Sequence, residues 1–81
     1  MPGRNVDFMG FVNIHLRMRP SAVYFLRFIL EGYDNLFILT TLDRDEGLVT
    51  VQTGEDQLQD LYIILESVQA EIGLDCMEKV S

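Results

Sequence analysis

RMRPSAVYFLRFILEGYDNLFILTTLD, residues 17–43, decides the fold, because inside it one strand ends, a helix starts and stops, and a second strand begins. Pro20 cannot donate to a sheet ladder but suits the first turn of a helix, so the strand ends before it and Ser21 to Glu31 reads as a helix. Gly32 then serves as a left-handed cap. From Ala22 to Leu30 the helix is apolar or aromatic at every position except Arg27, although a helix lying on one sheet needs only one such stripe. At about 100° per residue, Ala22, Phe25, Leu26, Ile29 and Leu30 make that stripe with Val23 at its edge. Tyr24, Arg27, Phe28 and Glu31 fall on the other side. Tyr24 and Phe28, four apart, are expected to stack as an exposed aromatic pair beside the Arg27 cation. Since exposed paired aromatics mark association surfaces, Tyr24, Arg27 and Phe28 form the candidate interface. The plainer alternative is that the second helix or the tail covers them.

Before Pro20, Val12, Ile14, Leu16 and Met18 alternate with Asn13, His15, Arg17 and Arg19, which is the pattern of a strand over Phe11 to Arg19 with one buried face. After the helix, Leu36 to Leu42 and Leu48 to Thr53 are two more strands. The polar loop Asp43-Arg44-Asp45-Glu46-Gly47 joins them as a hairpin. Thr53 is placed to cap a second helix, with Asp56 three residues on. Leu58, Leu61, Leu65, Val68 and Ile72 follow at helical spacing until Gly73 closes the helix. Leu74 to Val80 suits a short fourth strand, in which Cys76 is expected to be half-buried packing. The order is βαββαβ, an α+β class, and these stripes are best buried by a ferredoxin-like fold: a four-stranded antiparallel sheet with both helices on one face. Residues 1–81 make one domain, its core spanning about 11–80.

Two resemblances rest on these pieces. Arg19-Pro20-Ser21, then YFLRFILEGYDNL, then TTLD and a glycine-bearing turn resemble a family of small bacterial proteins known as domain-of-unknown-function family 4911, over roughly residues 14–72. That resemblance implies no activity. More loosely, the layout resembles the ACT regulatory domain, which binds amino acids at dimer interfaces through a Pro-Gly loop after the first strand. Here Pro20 matches, and Ser21 stands where the glycine is expected. The ACT-like resemblance implies a ligand site around Arg17, Arg19, Pro20 and Ser21.

Composition narrows the function classes. The chain has 81 residues, is 48% hydrophobic and 23% charged, and carries a net charge of −7. So small a core gains stability from a second copy, which makes a homodimer the expected state. The negative charge argues against nucleic-acid and anionic-membrane partners. One cysteine excludes an internal disulfide and a cysteine-only zinc site, which suits a reducing, cytoplasmic setting. Near the N-terminus, Asp7, Asn13 and His15 break the apolar run that a signal peptide needs after Arg4.

His15, Arg17 and Arg19 at two-residue spacing could hold an anion, or could be an ordinary solvated strand face. His15 is the only histidine, so no catalytic triad is available within one chain. An acylphosphatase-like enzyme would need a glycine-rich cradle, and none precedes Pro20. Asp43, Asp45 and Glu46 have the spacing of a calcium loop but not its length or closing glutamate. No metal and no cofactor is expected. The expected function is a noncatalytic oligomeric binding or regulatory module that senses a small anionic or amino-acid-like ligand. The alternative is a structural interaction domain without a ligand, and a remote third reading is the acylphosphatase-like enzyme.

Overall fold

Alternating apolar residues make β1 (Phe11–Arg17) a strand with one buried face: Val12, Ile14 and Leu16 are buried, and Met18 beyond its end is buried too. This computed structural model describes residues 10–34 and 36–80. Residues 1–9, including Arg4 and Asp7, lie outside that description, as do Asn35 and Ser81. The chain leaves the sheet two residues earlier than the alternation suggests, because Pro20 opens a 3-10 turn over Pro20–Ala22. α1 (Val23–Glu31) follows. Then come β2 (Phe37–Asp43), β3 (Leu48–Gly54), a 3-10 turn over Glu55–Gln57, α2 (Leu58–Ile72) and β4 (Cys76–Lys79).

The four strands form one antiparallel sheet in the order β2-β3-β1-β4, as the ferredoxin-like arrangement requires. β1 and β3 are central, while β2 and β4 are the edges. Buried residues of both helices join Ile14, Leu16, Val49, Val51 and Phe37 in one apolar cluster. Leu26, Leu61 and Ile72 are wholly enclosed there. The other face of the sheet carries Asn13, His15 and Arg17 with their cross-strand partners Gln52, Thr50 and Leu48.

Five local expectations are corrected. Phe25 is 41% exposed rather than in the core, while Val23 is buried. The stripe runs through Val23, Leu26 and Leu30, so the buried face is rotated toward Val23 from the expected centre, a shift that a helix apolar almost all round permits. Tyr24 and Phe28 do not stack; the aromatic pairing among the described residues is Tyr33 against Phe37, edge-on at 5.5 Å. Gly32 caps α1 with a right-handed φ of −72°, and the left-handed residue is Asp34, at φ 51°. Thr53 does not cap α2, since it stays in β3 with its side chain in the core. Cys76 is exposed, as is all of β4, a short edge strand.

Two glycines are required by the backbone. Gly47 closes the β2–β3 hairpin at φ 71°, and its carbonyl accepts from the Met18 N–H at 3.0 Å. Gly73 ends α2 at φ 64°, the left-handed cap that its place after Ile72 suggests.

Candidate interaction surface

The arginines expected to gather around Pro20 separate. Arg17 ends β1 on the open face of the sheet, where its guanidinium donates to Glu46 of the hairpin at 2.9 Å. That hydrogen bond, reinforced by the charge of Glu46, raises the pKa of Arg17. Both side chains are about half exposed, at 48% and 55%, so the pair orders the hairpin more than it stabilises the fold. Arg19 leaves the strand alternation and turns to the end of α2. Its main-chain N–H donates to the Ile72 carbonyl at 2.9 Å, and its guanidinium donates to the Glu71 carbonyl at 2.7 Å. A cation there meets the negative end of the helix dipole and occupies carbonyls that have no partner within the helix. A side chain at Gly73 would begin 3.2 Å from that guanidinium. Pro20 and Ser21 form the exposed turn between Arg19 and α1.

The proposed interface residues, by contrast, share one side of α1. Tyr24 and Phe28 are each 74% exposed, the largest exposures among the large hydrophobic residues described. Arg27, between them in sequence, is partly buried and donates to the Thr41 hydroxyl at 3.1 Å. This bond ties α1 to β2. Two open grooves follow the line between these elements. The larger, about 660 Å³, is bordered by Pro20, Tyr24, Arg27, Leu42 and Arg44. The smaller, about 170 Å³, is bordered by Arg27, Glu31, Ile38 and Leu39. Arg27 borders both, so the two lie in succession as a channel along β2 that the Arg27–Thr41 bond crosses.

Arg44, Thr41 and Leu42 are not evident in the sequence as part of this surface. The signal available was topological: a ferredoxin-like order places the second strand at an edge, so Leu36 to Leu42 had to carry an unpaired row of main-chain groups. Ile38 and Leu42, both 52% exposed, add apolar surface to that edge. The register between β2 and β3 also shifts between Thr41 and Asp43. Leu42, which lies at that irregularity, borders the larger groove beside Thr41.

On the open face, one cross-sheet row runs Thr40, Thr50, His15, Glu78. Cys76 is the cross-strand partner of Arg17. No group of three or more histidine, cysteine or acidic side chains is arranged to hold a metal ion among the described residues. Nor is any helix among them long and apolar enough to cross a membrane.

Comparison with curated proteins and with solved structures gives no match. Residues 16–72, from the end of β1 to the end of α2, match a family of proteins, and that segment holds α1, the β2 edge and the channel between them. The chain belongs to the family described as Domain of unknown function (DUF4911).

Proposed function

We propose that this chain is a noncatalytic binding or regulatory module that works as a homodimer, with the outer side of α1 as its association surface. The observation that carries the reading is the exposure of Tyr24 and Phe28, 74% each, on a helix whose other side already fills the core. Burying two aromatic rings of this size would release several kcal/mol of hydration free energy, on the order of 1.5–3 kcal/mol per large side chain. A small monomer has few other places to gain as much. The single exposed Cys76 suits a reducing compartment, and a cytoplasmic location is proposed with it. Multi-angle light scattering across the micromolar range tests the reading. A mass twice that of the 9.3 kDa chain is expected, and a constant monomer mass would contradict it.

A second reading, a site for a small anionic or amino-acid-like ligand at Arg17, Arg19, Pro20 and Ser21, has weaker support. Both guanidiniums already have partners, Glu46 and the Glu71 carbonyl, and they point to different parts of the molecule. A thermal-shift screen of amino acids and nucleotides checks it. A rise in melting temperature that disappears in Arg17→Ala would support this reading over the first.

A further inference from the structure

The geometry points to a specific mode of self-pairing, resting on the homodimer reading above: two copies join along the β2 edges about a two-fold axis near Thr40. Glu31 of each copy then enters the channel between Arg27 and Arg44 of the other. Three features of the surface converge on it. The first is the edge itself. β2 is seven residues long and, among the described residues, has β3 on one side only. Edge strands of that length are normally blunted by charge, proline or cover. Between Phe37 and Leu42, β2 has none of the first two, and Ile38 and Leu42 are exposed. The opposite edge, β4, is only four residues long and carries Glu78 and Lys79, so it is the protected one.

The second feature is charge. On a protein of net charge −7, Arg27 and Arg44 border one groove, and neither has an ion-pair partner among the described residues. Glu31 borders the other end of the same channel, likewise with no ion-pair partner. It is also the last residue of α1, where a negative charge opposes the helix dipole. An acid kept at the wrong end of a helix and an unmatched Arg44 at the far end of the same channel, with Arg27 between them, complement one another in a second copy.

The third feature is direction. α1 starts beside the end of β2, with Tyr24 near Leu42, and finishes beside its start, with Glu31 near Ile38. Antiparallel pairing about Thr40, the middle residue of β2, sets Ile38 of one copy opposite Leu42 of the other. The Glu31 end of each channel therefore meets the Arg44 end of its partner, twice, as an isologous interface demands. The two four-stranded sheets become one continuous sheet. The two α1 helices lie side by side above the seam, and Tyr24 is brought against the partner. Strand pairing alone falls short of the roughly 1,000 Å² that a stable interface needs, and the helices supply the remainder.

A charge-swap series tests this on the full chain. Glu31→Arg and Arg44→Glu are both surface changes away from the core, and circular dichroism confirms that each variant is folded. Sedimentation equilibrium is then run on the wild type, both single variants and the double variant. Each single change sets like charges together twice per dimer, so the dissociation constant is expected to rise by about tenfold or more, and more at low salt. The double variant restores two opposite pairs and is expected to return to near the wild-type value. A wild type that is monomeric overturns the homodimer reading itself. A wild-type dimer whose constant is unmoved by either single change, or single effects that the double change does not repair, overturns the β2 pairing and leaves self-association through another surface.

Discussion

An alanine at Gly47 would place a Cβ 1.9 Å from the Met18 carbonyl oxygen, at a backbone φ of 71°. Neither the oxygen nor the backbone can give way without opening the junction between β1 and the hairpin, where Met18 and Gly47 already share a hydrogen bond. Gly47→Ala is expected to cost about 2–3 kcal/mol or more, measured by urea denaturation, and a loss under about 0.5 kcal/mol would mean that the hairpin does not approach β1 so closely. Thr53 presents the opposite case. It is 1% exposed, and its hydroxyl has no hydrogen-bond partner among the described residues. Replacing it with valine keeps the shape and removes a buried polar group, so Thr53→Val is expected to stabilise the fold by about 1 kcal/mol. Arg19 acts at the end of α2, and Arg19→Ala is expected to cost about 0.5–1 kcal/mol, an effect that shrinks in high salt if the dipole is its source.

At the scale of elements, α1 and α2 differ in how much of their packing the sequence discloses. α2 has one apolar stripe, and Leu61, Leu65 and Ile72 are buried as their spacing indicates. α1 is apolar almost all round, so spacing alone could not fix its phase. Val23 is buried and Phe25 is half exposed, a shift of the buried face that the sequence leaves open. Leu26 is insensitive to that shift and is wholly buried, as is Leu61. Leu26→Ala and Leu61→Ala are therefore each expected to cost about 2–5 kcal/mol in chemical denaturation, and values under about 1 kcal/mol would contradict the helix placement. The strands were legible in number, order and face. Their ends were not, since alternation continues through Met18 and Arg19 after the hydrogen-bonded ladder has stopped. The candidate ligand residues were hardest to read: Arg19 continues the β1 alternation in sequence but in space belongs to the end of α2, a contact 52 residues away.

For the whole molecule, the ferredoxin-like sheet leaves the β2 edge and the outer side of α1 next to each other, and both carry more apolar surface than a monomer uses. The sequence reveals the excess in α1 through its second oily side. It does not reveal the channel, because Arg27 and Arg44 are far apart in the chain and meet only when β2 lies beside the helix. On the proposed reading, Tyr24 and Phe28 belong to an interface between copies and contribute nothing to the core of one. The most direct measurement is sedimentation equilibrium, paired with circular dichroism, of the double variant Tyr24→Ser with Phe28→Ser beside the wild type. A wild-type dimer is expected, with a variant that keeps the helical and strand signal but sediments as a monomer. A variant that unfolds, or a variant that dimerises as tightly as the wild type, would contradict that reading.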